Sequence, residues 1–290
     1  MNAFPHFIVI GAQKAGTTSM HAWLSASPTI SMPVEKELQF FSNEDEYARG
    51  MDYYRSLFPH ASDSLILGEA SPQYLCSKKA SERIKFHCPG TKLIAVLRDP
   101  VERALSHYRM TVRRGRTRQS LDACIDELLV KAGEEVDEPD MDHDFLAVGL
   151  YGRQLTRFAQ MADRGQLRVY FLEELIGDSR PLAADIQEYL SPDAVLRLGE
   201  FPHAHRGGTA RFGRLDRVLR SNGAVRACAR FLLTPSQRKA LRFRYETHFS
   251  VRAEDAPEVL SQQTRERLHE YFSADRILLE RFIGRRAPWV

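Results

Sequence analysis

A short apolar run, Phe7–Ile10, leads directly into Gly11, Ala12, Gln13, Lys14, Ala15, Gly16, Thr17, Thr18 and Ser19. The apolar, β-branched run predicts a buried strand. The glycines predict a tight turn, and Ser19–Ser25 reads as the helix that follows. Strand, glycine-rich turn and helix in this order confine the chain to folds in which a helix packs back over a parallel sheet. The same residues suit an anion. Glycines let backbone N–H groups face a negative charge, and a helix N-terminus adds its positive dipole end. Lys14 reaches phosphate oxygens, and the hydroxyls of Thr17, Thr18 and Ser19 donate to them.

The rest of the chain repeats the alternation. Leu65–Leu67, Lys92–Leu97 and Leu167–Phe171 read as further strands. Lys78–Phe86, Pro100 to about Met110, Leu121–Val130, Gly149–Met161 and Pro181–Leu190 read as helices. The aromatic stretch from Tyr47 to Phe58 reads as a helical segment. Thr264–Phe282 reads as an amphipathic helix broken near Ser273. The expected fold is therefore α/β: a three-layer sandwich with a central parallel sheet and a phosphate-binding loop after the first strand. No internal repeat or low-complexity linker divides the 290 residues, so a single domain over 1–290 is expected.

Bulk properties narrow the function. Net charge is +3, from 41 basic and 38 acidic residues, which argues against a protein that coats nucleic acid. Cys76, Cys88, Cys124 and Cys228 form no C-x-x-C pair, so neither zinc nor an iron–sulfur cluster is expected. The scattered thiols fit a reducing compartment. The apolar runs fall far short of a membrane span, and the first residues lack a signal-peptide pattern, so a cytoplasmic location is expected.

The loop at 11–19 departs from the G-x-x-x-x-G-K-[ST] pattern of nucleotide hydrolases. Both glycines match, but Thr17 stands where that pattern has lysine, and Lys14 lies three positions earlier. A hydrolase or kinase of that type needs the lysine at the β- and γ-phosphates and a hydroxyl on magnesium. The pattern here argues for a different phosphate ligand. A second anion-binding element follows the Lys92–Leu97 strand, where Arg98 presents a planar fork to phosphate oxygens. Ser106 lies eight residues on, about two helical turns away. Lys36 and Glu37 precede the aromatic pair Phe40 and Phe41.

In these motifs the chain resembles the sulfotransferases that use 3'-phosphoadenylyl sulfate, above all the branch of heparan sulfate N- and O-sulfotransferases and their bacterial relatives. The resemblance implies that 3'-phosphoadenylyl sulfate is the donor and adenosine 3',5'-bisphosphate the product, with no metal required. It implies that Gly11, Gln13, Lys14, Ala15, Gly16, Thr17, Thr18 and Ser19 hold the 5'-phosphosulfate, and that Arg98 and Ser106 hold the 3'-phosphate. It also implies that Glu37 is the general base and that Lys14 serves catalysis; Glu35 is the competing carboxylate. Phe40 and Phe41 suit core packing better than a sugar platform.

Two departures limit the resemblance. Ala70 stands where the family commonly has a lysine after Glu69, which weakens transfer of heparan-type acceptor chemistry, although Glu69 remains a candidate for the acceptor side. The late lysine–glycine–arginine loop of the heparan enzymes has only a loose counterpart at 205–211, where Arg206 or Arg211 is the candidate for the 3'-phosphate. The acceptor-side segments are expected at 111–148 and 201–245. The first includes an acidic run at Glu134–Asp144, read as an exposed loop. The second carries basic residues from Arg206 to Arg244 against the single acid Asp216. The expected partner is a saccharide, glycolipid or other small-molecule acceptor, with no nucleic acid. A phosphate-loop kinase and a non-catalytic polyanion-binding module are the alternatives.

Overall fold

The computed structural model describes residues 4–58, 66–131, 137–191, 200–202, 209–210, 250–251 and 260–289. Five strands form one sheet: β1 (Phe7–Gly11), β2 (Ile30–Ser31), β3 (Ile66–Ala70), β4 (Lys92–Leu97) and β5 (Leu167–Phe171). Their spatial order is β2-β3-β1-β4-β5, and every pairing is parallel. The helices are α1 (Thr17–Ser25), α2 (Glu44–Tyr47), α3 (Gly50–Ser56), α4 (Lys78–His87), α5 (Pro100–Arg113), α6 (Leu121–Val130), α7 (Tyr151–Thr156), α8 (Ala159–Asp163), α9 (Leu172–Gly177), α10 (Arg180–Leu190) and α11 (Gln262–Ile283). Thr209–Ala210 and Ser250–Val251 pair antiparallel.

Side chains on successive strand positions point to opposite faces, and the core follows that rule. Ile8 and Ile10 of β1, with Leu93, Ala95 and Leu97 of β4, pack under α3, α4 and α7. Phe7 and Val9, with Ile94 and Val96, pack under α1 and α10. The sheet is thus covered on both faces, as the uninterrupted apolar strands require. Each fully buried Val, Ile, Leu or Phe contributes about 1.5–3 kcal/mol relative to exposure. Gly68 has a specific role: a Cβ there would meet the Phe7 ring at 2.0 Å, so the residue opposite Phe7 in the register has no room for a side chain.

The helices differ from expectation in three places. The aromatic stretch forms two short helices, α2 and α3, parted at Gly50, whose φ of 83° suits glycine. The helix expected over 149–161 is a 3₁₀ turn, Ala147–Gly149, followed by α7 and α8; i→i−3 bonds at Phe158 and Met161 turn the chain between them. The last helix is continuous through Ser273, whose hydroxyl donates to the Glu270 carbonyl inside the helix and leaves the ladder intact. β2 is a two-residue strand that its irregular sequence context hid.

α11 also caps the N-terminal end of α7. Buried Asp275 accepts from the backbone N–H groups of Gly152 at 2.7 Å and Arg153 at 2.9 Å. It thereby caps a helix that its own chain-neighbour side chains leave uncapped. Asp275→Ala is expected to lower folding stability by about 1–2 kcal/mol, read as a lower urea midpoint at unchanged slope. An unchanged midpoint would refute the capping role.

Candidate active site

In an open parallel sheet, ligands bind at the strand C-termini where successive connections leave in opposite directions. That point here lies between β1 and β4. From β1 the chain crosses to the β3 side of the sheet, and from β4 it crosses to β5. Both phosphate elements expected from sequence start at this crevice. The Ala12 N–H donates to the Val96 carbonyl at 2.6 Å and ties the loop to β4. Lys14 and Gly16 take left-handed φ values of 70° and 86°. Gly16 stands at the N-cap of α1, and no side chain caps that helix end, so its first-turn N–H groups point out of the helix end toward the loop. Gln13, Thr17 and Ser19 are buried, while Lys14 and Thr18 are half-buried.

Burial pushes the Lys14 ammonium down to about 8. Arg113, Arg114 and Arg98 push in the same direction, against the opposing pull of Glu37. A lysine crowded by three arginines makes a positive site that suits an anion.

Three backbone bonds stitch the next loop to the end of β3. Glu37 N–H donates to the Ala70 carbonyl at 3.0 Å, Gln39 N–H to Ser71 Oγ at 3.1 Å, and Phe41 N–H to Tyr74 Oη at 3.3 Å. Glu37 and Gln39 adopt φ values of 62° and 54°. Neighbouring side chains on an extended chain diverge, whereas this turn brings Lys36 and Glu37 together. Lys36, nearly buried, donates from Nζ to Glu37 Oε1 at 2.7 Å and to Thr18 Oγ1 at 3.1 Å. Burial alone raises the Glu37 carboxyl, but Lys36, Gln73 and Arg114 outweigh it and hold it below the usual carboxylate range. Gln73 Nε2 approaches Glu37 Oε2 at 3.5 Å, and Gln73 Oε1 is buried with no partner. Glu35 instead bears on Tyr53 of α3.

Arg98 and Ser106 share one side of α5 through Glu102. Arg98 Nη2 lies 3.9 Å from Glu102 Oε2, a long contact, while Arg265 of α11 holds the other Glu102 oxygen at 2.9 Å. Ser106 is half-buried one turn beyond Glu102 on the same stripe. Asp99 caps α5 through the Glu102 N–H at 2.8 Å. Arg206 and Arg211 lie outside the described residues, as does Cys228.

A family model described as "Sulfotransferase domain" matches residues 4–195. The chain belongs to the sulfotransferase domain family. Among its relatives is human heparan sulfate glucosamine 3-O-sulfotransferase 3B1, 30% identical over 192 residues, which are 66% of this chain and 47% of that protein. The chain thus spans about half the length of the curated relatives it matches. The solved sulfotransferase from Alicyclobacillus acidocaldarius superposes with a TM-score of 0.68 at 24% identity, covering 98% of each chain. A mouse sulfotransferase complexed with PAP gives 0.51 at 12% identity, over 97% of this chain and 89% of that one.

In this sulfotransferase domain Phe40 and Phe41 are fully buried against Tyr54, the core packing expected of them. Other residues stand elsewhere than sequence suggests. Glu69 is buried too, accepting from Tyr54 Oη at 2.7 Å and Ser71 Oγ at 3.1 Å, which removes it from the acceptor side. The acidic run is partly paired: Asp137 with Lys78 and Arg157, Asp142 with Arg114 and Arg116. Arg113 and Arg114 read as unpatterned basic sequence, yet the fourteen-residue length of α5 carries them back to Lys14.

Behind the site, α5 of the sulfotransferase domain docks the 141–145 segment. Arg103, His107 and Thr111, four residues apart, are all buried. Arg103 Nη1 donates to His107 Nδ1 at 3.1 Å, and His107 Nε2 faces the Met141 carbonyl at 2.8 Å. Arginine only donates, so the His107 proton sits on Nε2. Burial and Arg103 push this imidazole down to about 3, and it stays neutral. Thr111 Oγ1 donates to the Asp142 carbonyl at 3.0 Å, and Arg103 Nη2 to that of Phe145. Among the described residues no group of three His, Cys, Asp or Glu side chains is placed to hold a metal. None of the described helices is long and apolar enough to cross a membrane.

Proposed function

We propose that this domain transfers a sulfuryl group from 3'-phosphoadenylyl sulfate to a hydroxyl or amine of a saccharide, glycolipid or other small acceptor. The observation that carries the reading is the meeting of two cationic elements, the Lys14 loop and the Arg98–Ser106 stripe, at one crevice beside the Glu37 carboxylate. The donor set fits an adenosine 3',5'-bisphosphate: ammonium, guanidinium, hydroxyl and uncapped helix N–H groups, all of them donors. Membership of the sulfotransferase family, and the PAP carried by the mouse protein of the same fold, support the same ligand.

In this reading the loop and α1 hold the 5'-phosphosulfate, and Arg98 with Ser106 holds the 3'-phosphate. Glu37 takes the acceptor proton as the new S–O bond forms. Lys14 and the loop N–H groups stabilise the phosphate oxygen that keeps the electron pair of the breaking S–O bond. Gln73, whose amide nitrogen approaches Glu37 Oε2 at 3.5 Å, helps to orient that carboxylate. The acceptor side comprises 111–148 and 201–245 of one domain, the second lying largely outside the described residues.

Calorimetry tests the reading. Adenosine 3',5'-bisphosphate is expected to bind without metal and more tightly than ATP with magnesium. The reverse preference would favour a kinase. Affinity is also expected to fall with pH. Lys14 in the free protein titrates near 8, and a bound phosphate raises that value by stabilising the ammonium. Binding is therefore level from about pH 7, where the phosphate is already a dianion, to about pH 8, and weakens above it by at most about tenfold per pH unit. Lys14→Arg is expected to abolish this dependence, and a dependence that survives it would assign the effect to another group.

A further inference from the structure

We infer that Lys36 is a positioning residue that passes from Glu37 to the bound donor nucleotide, so that nucleotide binding itself releases the carboxylate to act as a base. The inference rests on the sulfotransferase reading of the site. It starts from a contradiction in the geometry. A general base works best when its proton affinity lies near the operating pH. Glu37 is instead gripped at 2.7 Å by an ammonium that lowers its proton affinity. Held so, it is a poor proton acceptor.

The same ammonium already touches the donor loop. Lys36 Nζ donates to Thr18 Oγ1 at 3.1 Å, and Thr18 lies in the first turn of α1, beside the uncapped helix end. An ammonium has three N–H donors, and two are accounted for by Glu37 and Thr18. A phosphate bound at the α1 N-terminus lies beside Thr18, the residue this Nζ already bonds. A phosphate dianion competes well against one carboxylate for a single ammonium. The side chain is only 4% exposed, so water does not screen the choice between the two anions.

Other groups facing Glu37 do not make the same exchange. Gln73, on the turn after β3, is neutral. Arg114 at the end of α5 is held by Asp142 at 3.5 Å. Lys14 belongs to the donor loop itself and bears on Glu37 through space, and His21 of α1, pushed down to about 4 by burial and by Lys36, is neutral at physiological pH. Lys36 bonds both the donor loop and the carboxylate.

Linkage is reciprocal. If nucleotide binding draws Lys36 off Glu37, removing the Glu37 charge strengthens nucleotide binding, and does so through Lys36. A double-mutant cycle with adenosine 3',5'-bisphosphate as the probe, read by calorimetry at pH 7, tests this. Lys36→Met is expected to weaken binding about tenfold, the scale of one hydrogen bond to a charged group. Glu37→Gln is expected to tighten binding severalfold in the native background and to have no effect beside Lys36→Met. Equal tightening in both backgrounds means plain repulsion by Glu37 and overturns the hand-off.

A measurement on the unsubstituted protein guards against misfolded variants. The Glu37 carboxyl carbon, labelled with ¹³C and assigned by its loss in Glu37→Gln, is titrated with and without the nucleotide. Its midpoint is expected to move to higher pH when the nucleotide binds. Binding heat with an unmoved midpoint refutes the hand-off alone. Absence of any binding heat refutes the donor reading as well, so the two failures are told apart.

Discussion

Replacing Lys14 with alanine is expected to slow sulfuryl transfer about 10²–10³-fold, the usual loss when one preorganised donor to a developing anion is removed. Folding stability is expected to hold. Lys14 sits on a turn residue with φ 70°, and in the free protein its ammonium is opposed by burial and by Arg113, Arg114 and Arg98. Removing it relieves like-charge crowding with these arginines and takes away the cation only where an anion needs it. Transfer is followed with labelled donor over a panel of saccharide and small-molecule acceptors, and stability by urea unfolding. Undiminished turnover in a folded Lys14→Ala protein would refute the role given to Lys14.

Replacing Glu37 with glutamine is expected to cost about 10²–10⁴ in transfer rate, the range for a positioned general base. Nucleotide binding is expected to be retained or tightened, which separates this variant from Lys14→Ala. The pH profile carries a sign. Glu37 accepts a proton only when ionised, so the native rate falls as pH drops through the carboxyl's titration, and a Gln variant lacks that acid limb. Full activity with any acceptor in Glu37→Gln, or an acid limb that persists in it, would transfer the role to Glu35 or to a group outside the described residues.

The parts of the fold set by local pattern were legible in the sequence. β4 and α6 run over the residues expected of them, Lys92–Leu97 and Leu121–Val130, because an apolar run between turn signals and a four-residue apolar spacing are each self-contained. The break between α7 and α8 was not, since it follows from i→i−3 turns and from close packing on α11: a Cβ on Gly152 would meet the Asp275 carbonyl at 2.5 Å. The same division runs through the site. The glycine loop, Arg98 and Ser106 announce themselves by residue type and spacing. The Lys36–Glu37 pair depends on left-handed φ at two non-glycine residues and on stitches to β3, none of which has a local signature. Arg114 enters only through the length of α5. Glu69 was misplaced because a carboxylate at a strand end reads as exposed until Tyr54 and Ser71 are seen to enclose it.

The docking of the 141–145 segment on α5 bears on how such a domain diversifies. All three acceptors in that contact are main-chain carbonyls, those of Met141, Asp142 and Phe145. A carbonyl is the same whichever side chain its residue carries. Mutational drift at 141 and 142 therefore leaves these three bonds in place, losing at 142 only the ion pairs to Arg114 and Arg116, whereas drift at Arg103, His107 or Thr111 removes one of the three. The helix bears the constraint and the segment is left free to vary in chemistry, an arrangement that lets one scaffold sample new side chains at its rim without refolding what holds the rim in position.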